Sequence, residues 1–424
     1  MPITSLFSLE RLRLLLKWIK GHLWVKPLGM SLLSLGGIFI ARMADDSGLS
    51  GALPDVSIDS VISLLTIMAS SMLVIATFAV GSMVSAYASA SDAATPRSFA
   101  LVLADDVTQN ALSAFIGAFI FSLVSLVAVK NHMYDSAGLF AMFVLTVLVF
   151  VIVVGTFVRW VDQIARLGRV SNTIEKVEKA TAKALDRRRH SPALGALPAD
   201  PEQAKKMPRA VCSSKVGYLQ RIDMEALQAC ADKLDCQVMV TALPGTFVST
   251  TRPLLRLACR DTVKPGAFED AFKIDRERAF QDDPRFGLLA LSEIADKALS
   301  PGVNDPGTAI NIIGALVRLF TLWQSPLEED DKREIEHDRI FVPVLAIDDL
   351  FDDAFTALAR DGAGIVEVAI RLQKAFNALT ELNDPAMAAA ARRHSRLALA
   401  RSEQAMSHQD DIDRVRAAAA LCAQ

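Results

Sequence analysis

Between Asp59 and Asp92 the chain runs for 32 residues, Ser60 to Ser91, without one charged side chain. As a helix that run is about 48 Å long at 1.5 Å per residue. The hydrocarbon core of a bilayer is about 30 Å thick. In lipid, a helix satisfies every backbone donor and acceptor within its own segment, which a lone strand or loop does not. A soluble helix meets water on at least one side and carries charge there. The run therefore predicts a membrane span that projects past the bilayer on the cytoplasmic side. Three further apolar stretches share the first 158 residues, lying from Trp24 to Ala44, between Asp106 and Lys130, and between Asp135 and Arg159. We expect four spans at about 24–44, 61–90, 107–129 and 138–158.

Lysine and arginine set the orientation, because they are retained on the cytoplasmic side of short flanks. Arg11, Arg13, Lys17, Lys20 and Lys26 precede or open the first span. Residues 45–60 carry neither type, and residues 130–137 carry Lys130 alone. Arg159, Arg166, Arg169, Lys176, Lys179, Lys183 and the run Arg187-Arg188-Arg189 follow the fourth span. Both termini are thus expected in the cytoplasm. Leu12, Leu14, Leu15, Leu16, Trp18 and Ile19 interleave with the first basic residues. Residues 1–23 read as an amphipathic helix lying on the membrane surface. A cleavable signal would precede a soluble chain, and here further spans follow.

From Arg159 the pattern changes to that of a soluble domain. Residues 159–190 repeat apolar positions at helical spacing and read as an extension of the fourth span. Residues 191–215 read as a linker, since Ser191–Pro208 holds four prolines. Residues 216–424 read as a cytosolic α+β domain, with strands at Val216–Ile222, Gln237–Leu243 and Ile340–Ile347. Helices are expected at Asp223–Leu234, Pro284–Leu299, Thr308–Trp323, Asp348–Arg360, Ile365–Leu382 and Pro385–Met406. The fold class is therefore an α-helical integral membrane domain of four spans followed by a soluble mixed α+β cytosolic domain. A net charge of −3 argues against a nucleic-acid partner. The five cysteines, Cys212, Cys230, Cys236, Cys259 and Cys422, show no CxxC spacing and read as reduced thiols.

The sequence holds no catalytic motif: no HExxH, no GxSxG, no P-loop and no GxGxxG after a strand. We expect no enzyme activity, no cofactor and no metal. The carboxylates Asp348, Asp349, Asp352 and Asp353 read as favourable charge at a helix start. In the segment Ala298–Ala309, Asp305 is placed to cap a helix, Pro306 to open it, and Pro301-Gly302 to turn the chain. That joint accounts for the residues without a function. The functional alternative is that Ser300, Asn304, Asp305 and Thr308 meet a ligand or a neighbouring subunit. In the second span Ser63, Thr66, Ser70, Thr77, Gly81 and Ser85 share one helical face. Small and hydroxylated residues on a membrane helix mediate packing against other helices. A pore lining is the alternative, with Asp45, Asp46, Asp55 and Asp59 as an acidic mouth.

Several motifs stand in a recognisable order: Thr95-Pro96-Arg97, Asp105-Asp106-Val107-Thr108-Gln109, Gly217–Asp223 (GYLQRID), Pro244–Val248 (PGTFV), Gln281–Gly287 (QDDPRFG) and Ala298–Ala309. From about residue 24 to about residue 380 the chain resembles the bacterial family of predicted membrane proteins labelled domain of unknown function 2254. It departs from the family's pattern in its short periplasmic loops and at Gly307. The resemblance implies four spans and a cytosolic domain, hence a multi-pass protein of the bacterial inner membrane, and it carries no activity with it. Two readings of function follow from the residues. One is an oligomeric, channel-like membrane protein with a pore lined by the second span and a regulatory cytosolic domain. The other is a membrane-anchored sensor or scaffold that binds a ligand or protein through that domain. The partners implied are the lipid bilayer, further copies of the chain, and a small ion or ligand.

Overall fold

The computed structural model describes residues 25–46, 54–93, 95–103, 106–167, 169–200, 207–259, 266–327 and 335–423. The surface helix expected over residues 1–23 lies outside them. The chain divides into two compact units, one of residues 1–93 and 99–172, the other of residues 94–98 and 173–424.

In the N-terminal unit the long helices are α1 (Val25–Asp46), α2 (Ile58–Ala93), α4 (Asp106–Lys130) and α5 (Ser136–Leu167), with a short α3 (Pro96–Leu103) between α2 and α4. The spans within α2, α4 and α5 have mean hydropathies of 2.2, 2.4 and 3.0. The 22 residues of α1 are also enough to cross a bilayer core. Helix α4 packs against α1, α2 and α5. Met68, Met72, Ala79, Phe115, Val153 and Trp160 bury one end of the bundle, and Leu65, Phe121, Val129 and Met142 the other. The carboxylate of Asp45 caps α5, accepting hydrogen bonds from the backbone N–H of Gly138 at 2.5 Å and of Asp135 at 3.1 Å. Asp45 is thus engaged at a helix N-terminus, where a negative charge is stabilised.

The fourth span does not run on as a single helix. Helix α5 stops at Leu167 and α6 (Val170–His190) begins a new segment.

The C-terminal unit joins two sheets to a helical layer. Its strands are β1 (Ala196–Pro198), β2 (Arg209–Cys212), β3 (Gly217–Ile222), β4 (Cys236–Val240), β5 (Phe247–Val248), β6 (Pro253–Cys259), β7 (Phe272–Asp275) and β8 (His337–Val342). A mixed sheet has the order β1-β8-β4-β6-β2, and an antiparallel sheet the order β5-β3-β7. Alternation along each strand sends Val238, Val240, Leu255, Leu257 and Ile340 into one core, and Met239 and Phe341 into another on the opposite face. Helix α7 (Met224–Lys233) packs on β4 and β8, capped by the Asp223 carboxylate on the Ala226 N–H. The stretch expected as a linker supplies β1 and β2, which pair with β8 and β6. Pro198 ends β1, an edge strand, where a missing N–H is tolerated.

The remaining helices are α8 (Gly266–Glu269), α9 (Pro284–Leu299), α10 (Pro306–Gln324), α11 (Ile347–Asp361), α12 (Val366–Thr380), α13 (Pro385–Ala405) and α14 (Gln409–Ala420). Phe320, Phe351, Phe355 and Phe376 stack at their centre. Helix α10 is also long and apolar enough to cross a membrane. Seven of its side chains, Ala309 to Phe320, are buried. Asn311, Arg318 and Thr321 form an exposed stripe opposite. It is a core helix of this unit.

One expectation about the cysteines is corrected. Cys236 and Cys259 form a disulfide. They are direct cross-strand partners in the antiparallel β4–β6 pair, a juxtaposition set by register and invisible in their spacing.

Candidate functional site

On α2 the five residues Val61, Leu65, Met68, Met72 and Ala79 are buried in the bundle. At 100° per residue they define one side of the helix. Ser63, Thr66, Ser70, Thr77, Gly81 and Ser85 lie on the other side, and all six are exposed. The hydroxyl of Thr66 donates to the Ile62 carbonyl at 2.7 Å, that of Ser70 to Thr66 at 2.8 Å, and that of Thr77 to Leu73 at 2.9 Å. Each donor is thus satisfied by its own helix, and the oxygens keep acceptor capacity toward whatever faces them.

The Ala298–Ala309 joint is held from within. The Ser300 hydroxyl donates to Lys297 at 2.6 Å, and Asn304 adopts a left-handed backbone with φ of 51°. Asp305 caps α10, accepting from the Thr308 N–H at 3.1 Å and the Thr308 hydroxyl at 2.6 Å. Those bonds hold the Asp305 pKa below the usual carboxylate value. The turn from Pro301 to Asp305 is exposed.

Three other motifs, GYLQRID, PGTFV and QDDPRFG, meet near the start of α9. Asp283 accepts from the Phe286 N–H at 3.1 Å and so caps the helix that Pro284 opens. Its carboxylate also receives two parallel bonds from Arg278, at 2.7 and 3.0 Å. Arg278 in turn lies over the Phe286 ring, 5.1 Å from its centroid. The PGTFV turn is fixed to β3 by Gly245 N–H to Leu219 at 2.8 Å and Leu219 N–H to Thr246 at 2.9 Å. Gly245 has φ of +92°, and a Cβ there would meet the Asp283 carboxyl carbon at 2.6 Å. Arg285 reaches Asp353 at 2.6 Å and Asp349 at 2.8 Å. Arg393 likewise holds Asp348 and Asp352 at 3.2 and 2.9 Å. The acidic start of α11 is therefore a set of ion pairs as well as a favourable helix end. Arg97 adds an ion pair to Glu293 of α9.

Two cavities flank the PGTFV turn, and Pro244 lines both. The smaller, about 390 Å³, is bordered by Gly245, Arg252, Arg278, Arg285 and Asp349. The larger, about 550 Å³, is bordered by Asp186, Arg187, Arg188, His190, Arg221 and Asp282. Arg188 is only 4% exposed. One of its Nη atoms donates to the Pro343 carbonyl at 3.1 Å, and its Nε–H is buried without an acceptor among the described residues. Burial lowers its pKa to about 10, which leaves the guanidinium charged at neutral pH.

A family model of predicted membrane proteins, DUF2254, matches residues 20–378. This chain belongs to that family. Among curated relatives of the DUF2254 protein are an uncharacterized protein of Mycobacterium bovis and one of Mycobacterium tuberculosis. Each is 34% identical over 125 residues, which is 28% of this chain and 24% of the relative. The match thus spans about a quarter of the relatives' length. No solved structure matches this DUF2254 chain. The structure brings GYLQRID, PGTFV and QDDPRFG together around the two cavities. The Arg187–Arg189 run, read as membrane-flanking charge, is partly drawn inward: Arg188 is buried, and Arg189 donates to Leu322 and Ser325 at the end of α10, both at 2.9 Å. Sequence reasoning missed that role. The signal was an arginine run on the last turn of a helix whose other positions keep an apolar period.

A titration is also built into this DUF2254 unit. On α9, Asp296 has a buried Oδ1 with no partner among the described residues. Burial, and after it the neighbouring Asp361 charge, raises its pKa to about 7, with Arg360 opposing. A carboxyl whose pKa is higher folded than unfolded binds more protons in the native state. Stability then falls as pH rises from about 4 to about 7. Asp296→Asn removes this penalty. Its thermal unfolding midpoint should exceed the parent's at pH 8, and the gap should shrink at pH 5. A gap independent of pH would refute the assignment.

Proposed function

We propose that this membrane protein assembles with copies of itself in the bacterial inner membrane into a channel-like oligomer, with α2 lining the shared axis and the C-terminal unit regulating it. The supporting observation is that the hydroxylated face of α2 points away from its own bundle. Small residues admit a close neighbouring helix, and symmetric assembly supplies one. Satisfied hydroxyls with spare acceptor capacity suit weakly selective passage of small ions. The lysine and arginine asymmetry supports a cytoplasmic side for both termini.

The test is cysteine substitution along residues 62–86 in a background without the native cysteines, reconstituted in liposomes. A water-soluble thiol reagent should modify positions 66, 70 and 77, spare 68 and 72, and reduce ion flux. A monomer in several mild detergents, with no flux, would overturn the reading. The second reading, a membrane-anchored sensor, is favoured by the two arginine-bordered cavities of the C-terminal unit.

A further inference from the structure

The larger cavity of the C-terminal unit has a charge pattern that selects its occupant. Asp186 is held by Arg189 at 2.9 Å and lies 3.6 Å from His190 Nδ1. That leaves Arg187, Arg188 and Arg221 facing Asp282 alone, a formal excess of two positive charges. Arg187 gives one donor to the Gln281 carbonyl, and Arg188 one to Pro343. A guanidinium has five N–H donors in a planar fork. Most of this donor capacity is unspent among the described residues, and the buried Arg188 Nε–H has no acceptor among them. An uncompensated buried cation is costly, and a multiply charged oxyanion with several acceptor oxygens compensates it. A carboxylate brings one negative charge, whereas a phosphoryl group brings about two at neutral pH. The volume of about 550 Å³ lies in the usual range for small-molecule sites. Leu194, Ile222, Met224 and Pro244 add an apolar wall beyond the arginines.

We infer that this cavity binds the phosphoryl group of a small organic phosphate, gripped by Arg187, Arg188 and Arg221, with the apolar wall against its organic part. The site deepens the ligand-regulated role given to the C-terminal unit, yet it is read by binding and not by flux. A failed channel assay therefore leaves it standing.

The experiment uses the full chain in detergent and calorimetric titration with pyrophosphate, with dihexanoyl phosphatidate as a lipid phosphate, and with sodium chloride at matched ionic strength. Saturable binding of pyrophosphate or phosphatidate at one per chain is expected, with no response to chloride. Stronger pyrophosphate binding names a soluble ligand, and stronger phosphatidate binding a lipid headgroup. Arg221→Gln should weaken binding at least tenfold and leave the unliganded melting temperature unchanged, because Arg221 is exposed. Arg188→Gln should abolish binding. Since Arg188 is buried and its loss endangers folding, Arg221→Gln is the deciding variant. Absence of saturable binding to both phosphates, or parent-like affinity in Arg221→Gln, would overturn the proposal.

Discussion

Asp283→Ala should destabilise the C-terminal unit by about 3–5 kcal/mol, the range for breaking a buried ion pair by removing one partner. The change deletes three things at once. It takes the bidentate partner from Arg278, which is itself largely buried. It removes the N-cap of α9, by itself about 1 kcal/mol. It also opens a space beneath Gly245, whose backbone approaches the carboxylate too closely for any side chain. The pair as a whole contributes less than its rupture costs, since burial pushes the Asp283 pKa up while Arg278 pulls it down. Thermal unfolding in detergent gives the measurement, and Arg278→Met added to Asp283→Ala should recover part of the loss. A single variant within about 0.5 kcal/mol of the parent would show that the pair is not the anchor of this turn.

Gly287→Ala should be nearly as damaging. A methyl group there would lie 2.7 Å from both Cβ and Cγ2 of Thr181 and closer still to its hydroxyl. Thr181 is fully buried and donates to Val177 at 2.7 Å, so it has no route of escape. Overpacking of this kind costs about 1–3 kcal/mol. The double variant with Thr181→Ala should be more stable than the sum of the two single effects, because the residues share one contact. Strict additivity would refute a close α6–α9 approach.

The parts legible in the sequence were those set by local chemistry. The limits of α9 coincide with Pro284–Leu299, and Asp223 and Asp305 cap the helices they precede, because a cap acts within three residues of itself. The helices α2, α4 and α5 were legible from long runs with little or no charge, and α1 from an apolar stretch bounded by Lys26 and Arg42. The sheet order, the Cys236–Cys259 pairing and the ion pairs of Asp348 to Asp353 were not, since each depends on segments tens of residues apart. The candidate cavity was half legible. Its motifs were visible, but the burial of Arg188 is a property of the packed unit, and a run of arginines after the last span has an ordinary topological explanation.

Helix α10 has a consequence for synthesis. It emerges from the ribosome behind a series of true spans, with 19 residues and a mean hydropathy of 1.3. Of its packing partners α9 is already made, but α11 begins only at Ile347 and α12 at Val366, so for some forty residues of translation its apolar side is incompletely covered. During that interval the insertion machinery reads α10 by composition, and a buried fate and a lipid one compete. Arg318 weighs on the outcome, since an arginine near the middle of a span costs about 2.5–3.5 kcal/mol to insert. In the finished protein the same side chain holds Glu178 at 2.7 Å. One residue thus steers the nascent chain away from the bilayer and afterwards ties the helix into the unit it was kept for.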